Sequence, residues 1–359
     1  MTISVVCTII TRNRLAWART LTESFLAQHG DGKCFVLNID EAEGLFDPIE
    51  EEFEMIRLQD LNLADPICAS YKYTPFELCC ALKPYLLQHL FREEGIEKAV
   101  YLDSDIIVLS PLDQIYNYLD DHDIALTPHL DLDLPDDGKK PDDAHVMLSG
   151  VFNAGFVGVK NSEEGLRFLD WWAGKLENGC IEDHFNGRFV DQKYLDMAVG
   201  LFSNIGILRD PGCNTAYWNL HSRKITRQNG SWQANGEPLV FYHFSDYRLD
   251  RPHEMSGHQD RFSLENLPEL KALFDHYRTL VLANGDEVCR TWDYSFGKYR
   301  NGRRIKPWTR RAYLLNRDSQ PPFDPFDSSQ HTIRFRLQSA LQAGLMLFNR
   351  FVHKARRFF

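Results

Sequence analysis

The sequence has no run of the roughly 18–20 apolar residues that a membrane-spanning helix needs, which leaves no spanning segment to be expected in its 359 residues. No pair among its eight cysteines has the C-x-x-C spacing of zinc and redox sites. Several cysteines lie in apolar runs, where the thiol acts as a small hydrophobe, so reduced thiols in a cytosolic protein are expected. The opening MTISVVCTII carries no basic segment, and its apolar run is short for a secretory signal. Gly and Pro, at 22 and 16 residues, are too few for a collagen-like or low-complexity chain. Positive charge is scarce over most of the length. Residues 1–297 carry 26 Lys and Arg against 48 Asp and Glu. A body of that sign does not suit nucleic acid, whose phosphates need basic side chains.

The apolar fraction of 43% is that of a globular chain with a large core. Ile3–Ile10 is a β-branched run that fits a strand buried on both faces. Leu15–Gln28 has helical spacing, and Cys34–Ile39 is a second strand. This β-α-β opening predicts an α/β fold with a mostly parallel sheet. A helix is predicted over Phe76–Phe91, with Pro84 a point of kinking or division. Strands are predicted at Lys98–Tyr101, Ile106–Leu109, Ile124–Thr127, Val151–Lys160 and Leu239–Phe244, and helices at Glu163–Leu176 and Lys271–Asn284. Asp131–Asp143 is acidic and rich in turn formers, so a mobile loop is expected there. Asn301–Arg317 reads as a basic loop, Gln320–Asp327 as a Pro-rich breaker and Thr332–Phe359 as an amphipathic helix.

The sharpest local feature is Tyr101-Leu102-Asp103-Ser104-Asp105-Ile106-Ile107. Two acids two positions apart share one face of an extended chain. A hard divalent cation takes oxygen ligands, and on a diphosphate it commonly takes one or two carboxylates from the protein. The C-terminal end of a strand in an open parallel sheet is where ligands bind. The plain rival is a polar strand end that caps a turn. Apolar residues on both sides favour the metal reading, because acids placed in such a run need a reason to be desolvated.

That run does not stand alone. With Cys7-Thr8-Ile9-Ile10-Thr11-Arg12-Asn13, Ala81-Leu82-Lys83-Pro84-Tyr85, Gly150-Val151-Phe152-Asn153-Ala154-Gly155-Phe156, Phe189-Val190-Asp191-Gln192-Lys193, Asp210–Leu220 and Phe241-Tyr242-His243-Phe244-Ser245, it resembles a bacterial group of nucleotide-sugar glycosyltransferases. These have the GT-A fold and are related to glycosyltransferase family 8. The likeness spans roughly residues 3–262 in ordered blocks.

The resemblance implies a GT-A catalytic domain over 1–270; charge and apolar spacing add a helical and basic-loop appendix over 271–330 and a basic amphipathic helix over 331–359. It implies Mn²⁺ or Mg²⁺ held by Asp103 and Asp105, with His243 as a third contact to metal or diphosphate. A half-buried structural histidine is the rival reading of His243. Thr11, Arg12, Asn13, Lys83, Asp103 and Ser104 match donor and nucleotide positions; an exposed loop and an exposed helical lysine are the rivals for the first four. Asn153, Ala154 and Gly155 match a segment beside donor sugar and acceptor. Asp191 and Gln192 match the pair beneath the anomeric carbon, with a role in sugar binding and transition-state electrostatics. Asn214, Tyr217 and Trp218 either add sugar-binding surface or belong to the core. Two departures stand out. Ser104 occupies a position where relatives often have Pro, and Asp246 follows His243-Phe244-Ser245 where Gly is usual. Beyond it, Arg248 or Arg251 would replace a diphosphate-binding lysine.

The implied reaction is transfer of a hexose from a nucleotide diphosphate sugar, UDP-linked by analogy, to a hydroxyl of a surface glycan or glycolipid, with retention. The alternative is a catalytically silent glycan- or nucleotide-binding module recruited to a membrane. A sugar nucleotidyltransferase shares the fold but opens with a Gly-rich, basic phosphate loop that Ile9–Leu21 lacks.

The charge reverses toward the end. From Lys298 onward there are 14 basic and 3 acidic residues, and within 331–359 there are six basic residues and no acid. There Ile333, Leu337, Leu341, Leu345, Phe348, Val352 and Phe359 recur at helical spacing. Such a helix either lies on an anionic membrane surface at the inner face or docks on protein. Arg300, Arg303, Arg304, Lys306, Arg310 and Arg311 either hold a phosphate-bearing acceptor or complement the acidic body.

Overall fold

The computed structural model describes residues 3–42, 44–316 and 324–355, with side chains through residue 348. The start of the Pro-rich breaker, and Arg317, Arg356, Arg357 and Phe359, lie outside the described residues, as do the side chains of Arg350, Val352 and Lys354.

The chain begins with β1 (Val5–Ile10), α1 (Leu15–Leu26), β2 (Lys33–Asn38) and β3 (Glu54–Arg57). There follow α2 (Pro66–Lys72), α3 (Pro75–Glu93), β4 (Lys98–Leu102), β5 (Ile106–Val108), α4 (Asp113–Asp121) and β6 (Ile124–Pro128). Next are α5 (Asp143–Ser149), β7 (Phe152–Lys160), α6 (Glu163–Gly179), the short pair β8 (Glu182–Asp183) and β9 (Arg188–Phe189), α7 (Gln192–Leu201) and β10 (Ile205–Ile207). The last strands are β11 (Ile225–Gln228), β12 (Ser231–Ala234), β13 (Glu237–Pro238) and β14 (Phe241–His243). Helices α8 (Pro268–Ala283), α9 (Asp286–Cys289), α10 (Pro307–Asn316) and α11 (Ile333–Ala355) complete the described chain.

Seven strands form one sheet in the order β10-β6-β7-β4-β1-β2-β3. The β1–β2, β2–β3, β1–β4 and β6–β10 pairs are parallel, and β7 alone runs antiparallel to both neighbours. Successive side chains of β1 enter opposite cores: Val6 and Ile10 join the one under α1, α4 and α8, while Val5, Cys7 and Ile9 join the one under α3, α6 and α7. This is why β1 reads as a largely apolar run, with Thr8 its one polar residue. A mostly parallel sheet covered on both faces, with helices added at the C-terminus, is the GT-A-like α/β arrangement that the sequence implied.

Several local expectations need correction. Helix α3 runs through Pro84 undivided, opened by Pro75 and by a capping box between Thr74 and Glu77. The acidic segment expected to be mobile is pinned. Asp137 makes a two-point pair with Arg261, Lys140 N–H donates to Asp260, and Asp131 binds Arg223 and Ser222. Part of the basic run read as a loop is helical, as α10. Arg310 on that helix holds no open cleft. It is buried and donates to the carbonyls of Ser70, Tyr71, Tyr73 and Phe296, bolting α10 to the α2–α3 junction. Helix α8 braces the separate β5–β14 pair. Tyr277 of α8 stacks on Phe244 with ring centroids 3.8 Å apart, directly after the last residue of β14. Among the described residues no helix is long and apolar enough to cross a membrane.

Candidate functional site

Asp103 and Asp105 do come together, but not by the extended geometry expected of them. Strand β4 ends at Leu102, and the Ile106 N–H donates to the Asp103 carbonyl at 3.1 Å, closing a turn over Asp103-Ser104-Asp105-Ile106. The turn delivers both carboxylates to the strand that follows. Strand β5 pairs antiparallel with β14, so that Ile106 faces His243, and the Phe244 N–H donates to the Asp105 carbonyl at 2.8 Å. His243 Nε2 consequently lies 3.1 Å from Asp105 Oδ1 and 3.9 Å from Asp103 Oδ2. One ligand atom from each of the three residues falls within 4.8 Å of the others. Two carboxylates and an imidazole converging this closely suit a divalent cation with waters in its remaining positions. Burial opposes charge on both partners of the His243–Asp105 pair, yet their mutual attraction wins. The imidazole is pushed up from its ordinary value, and the Asp105 carboxyl is held below the carboxylate range.

A second ion network backs the first. Lys83 of α3 is buried, not an exposed helical lysine. Its Nζ lies 3.2 Å from Asp103 Oδ1 and 2.9 Å from Asp191 Oδ2, and it donates to the Ala154 carbonyl at 2.9 Å. It also sits 4.7 Å from the centre of the Tyr101 ring, whose hydroxyl donates to Asp103 at 2.8 Å. Burial alone would lower the ammonium pKa, but Asp103 and Asp191 outweigh it and the net shift is upward. Asp191 is buried too, and desolvation outweighs Lys83, so its carboxyl is raised. The residue before it, Val190, has φ of 39°. A β-branched residue on the left-handed side of backbone space costs about 1–3 kcal/mol; here that strain sits at the entry to α7, which places Asp191 and Gln192.

Gln192, Asn153, Ala154, Gly155 and Asn214 form the floor that joins these networks. Gln192 Oε1 accepts from the Ala154 N–H and from Asn153 Nδ2, and its Nε2 donates to the Ser149 carbonyl. Asn153 Oδ1 accepts from the Gly155 N–H and from Asn214 Nδ2. The Gly155 carbonyl accepts from the Asp103 N–H at 2.9 Å. Glycine is required at this place, since a Cβ on residue 155 would collide with the His243 ring. Asn214 Oδ1 lies 3.3 Å from His243 Nδ1 and orients the ring. Trp218 is buried with its ring edge-on to those of His129 and His243, so it packs behind the imidazole and offers no open aromatic face.

The first loop is arranged differently from the rest. Thr11 and Asn13 hydrogen-bond to each other, and Arg12 donates to the carbonyls of Asp293 and Glu41. None of the three joins the carboxylate–imidazole group through these contacts. Ser104 is the middle of the turn. Arg248 and Arg251 pair with Asp250 and Glu254 at the surface. Sequence reasoning missed Arg14. It is exposed at the C-terminal end of β1, the strand beside β4, its guanidinium stacks 4.2 Å from the Trp17 ring, and its charge helps to hold Asp105 ionised. The one signal that could have found it is position, four residues past a predicted strand end.

His129 was missed as well. It accepts or donates through Nδ1 at the Gly150 carbonyl, 2.8 Å away, and its Nε2 meets Asn153 Nδ2 at 3.3 Å. Burial is the largest influence on this ring and lowers its pKa to about 4; Gly150 and Asp196 oppose that and His243 adds to it. The unfolded chain binds this proton near the ordinary value of about 6.5, so the folded state is at full advantage above that pH and loses it as pH falls toward about 4. Urea unfolding is expected to show about 2 kcal/mol less stability from this group at about pH 5 than at about pH 7.5, a component absent in His129→Gln.

No family model matches the chain. It is 29% identical over 257 residues to the uncharacterized protein YfnF of Bacillus subtilis (strain 168), covering 68% of this chain and 82% of that protein. The uncharacterized protein YfnD of the same strain is 26% identical over 248 residues, covering 67% and 77%. Among solved structures, the glycosyltransferase GlyE of Streptococcus pneumoniae TIGR4 aligns with a TM-score of 0.46 at 17% identity, over 84% of this chain and 67% of that one. The galactosyltransferase LgtC, solved with donor and acceptor sugar analogs, aligns with a TM-score of 0.46 at 13% identity, over 77% and 95%.

Proposed function

We propose that this chain is a metal-dependent glycosyltransferase that moves a hexose from a nucleotide diphosphate sugar, UDP-linked, to a hydroxyl of a surface glycan or glycolipid, with retention at the anomeric carbon. The observation that carries the reading is the meeting of Asp103, Asp105 and His243 at the end of a sheet strand, with Lys83 and Asp191 directly behind them. In this reading 1–270 is the catalytic domain, 271–330 its appendix and 331–359 a peripheral helix, with the protein working at the cytosolic face.

Asp103, Asp105 and His243 would hold Mn²⁺ or Mg²⁺, which when bound neutralises charge on the departing diphosphate. The chain's own residues do the rest. Lys83 fixes Asp103 and Asp191 at one spacing, and its charge opposes the effect of burial on the Asp191 carboxyl. Asp191, desolvated and held in place, supplies negative potential where positive charge develops on the sugar ring. Gln192 holds the backbone of Ala154 and the amide of Asn153, whose polar groups are engaged by Gln192, Lys83, Gly155 and Asn214, so that this segment shapes the floor on which the sugar would rest. Arg14 is placed at the ligand end of the sheet to meet the nucleotide or its phosphates.

The test is nucleotide release from a panel of nucleotide sugars, followed with and without chelator. Release abolished by the chelator and restored by Mn²⁺ or Mg²⁺ is expected. Turnover that ignores the chelator refutes the metal assignment, and glycan binding with no nucleotide release from any donor refutes the enzyme.

A further inference from the structure

Helix α11 is amphipathic in two separate senses, and the structure tells them apart. One side of it is docked. Phe335 is buried, edge-on to Tyr313 of α10 and to His331, and Gln338 donates to Asn316 at 2.7 Å. Ser339 is buried on the same side. At 3.6 residues per turn, the opposite side carries Ile333, Leu337, Leu341, Leu345 and Phe348. These are 79%, 67%, 63%, 48% and 61% exposed. The helix is therefore held to the body by a short polar and aromatic seam while its main apolar stripe faces outward. A stripe of this length on a surface marks an interaction site.

The charge on the helix selects what covers it. Residues 331–359 hold six Lys and Arg and no acid. Arg334 and Arg336, both exposed, lie among and beside the stripe. Pairing with a second copy through this face would bring two such segments together and set like charges against each other. An anionic bilayer satisfies both features at once, taking the leucines into its acyl boundary and the basic residues at its headgroups. The acidic body, residues 1–297 with 26 basic and 48 acidic side chains, is repelled by the same surface. We propose that α11 seats the protein on an anionic lipid surface through the Ile333–Leu337–Leu341–Leu345–Phe348 stripe, with the seam at Phe335 holding the body at a set orientation above it. This inference is independent of the proposed activity.

The experiment is flotation of the full chain with two kinds of vesicle, phosphatidylcholine alone and phosphatidylcholine with about 30% phosphatidylglycerol. Flotation with the second kind only is expected, and it should weaken strongly in about 0.5 M salt. A triple variant, Leu337→Ser, Leu341→Ser and Leu345→Ser, is expected to lower vesicle partition more than about 100-fold. Because these side chains are exposed, its thermal unfolding should match that of the parent. Arg334→Gln with Arg336→Gln should weaken binding to anionic vesicles by about tenfold or more. Equal flotation of the triple variant, equal binding to both vesicle types, or no flotation at all overturns the proposal. So does a dimer in sedimentation that the triple variant dissolves, which would make a second copy the occupant.

Discussion

An Asp103→Asn, Asp105→Asn double variant is expected to lose metal-supported nucleotide release by about a thousand-fold or more, while its fold remains intact. The size follows from the role. A cation on a departing diphosphate contributes several kcal/mol to the transition state, and each 1.4 kcal/mol or so is a factor of ten in rate. Asn keeps the shape of Asp and can still accept the Tyr101 hydroxyl hydrogen bond seen at position 103. Lys83 also retains Asp191 as a partner at 2.9 Å. The loss should therefore appear in metal titrations monitored by Mn²⁺ electron paramagnetic resonance as well as in turnover, with little change in melting temperature. Normal Mn²⁺ binding by the double variant would show that the pair is not the ligand set.

Lys83→Met is expected to be the most damaging single change to the fold. It leaves the Asp191 carboxylate, 1% exposed, without its cation, and removes one partner from Asp103. Breaking one side of a buried ion pair costs about 3–5 kcal/mol, because the remaining charge stays desolvated. Adding Asp191→Asn should recover much of that loss, since two neutral groups of similar shape need no pairing. Chemical denaturation of the parent, both single variants and the double variant closes the cycle. If Lys83→Met alone melts like the parent, the triad is a weak contact and not the brace described above. Activity should stay low even in the stabilised double variant, because position 191 then lacks the negative charge that the proposed mechanism assigns to it.

The alternation that feeds two cores was legible in the sequence, because a strand covered on both faces must be largely apolar. The long helices were legible for a similar reason, since α3 and α6 each combine a cap with periodic apolar residues. Shorter elements were not. Helix α5 buries none of its residues, so no periodic signal marks it. Helix α10 hides behind its basic composition, which pairing with backbone carbonyls neutralises only in three dimensions. Lys83 shows the same limit at the site. Its spacing in α3 is equally compatible with solvent or with burial, and only the approach of Asp191, more than a hundred positions later, decides between them.

What the residues determined by themselves was the class of sheet and the pair of acids able to hold a cation, since these follow from apolar period and from ligand chemistry; His243 joined them only through the family resemblance. Tertiary structure alone decided how those side chains meet. The acids reach the imidazole through a turn and not along an extended strand, because β5 must double back to pair with β14. It also decided which side of α11 is spoken for. Helical spacing defines a stripe, but only packing against α10 shows that the seam at Phe335 is used and the leucine face is left outward.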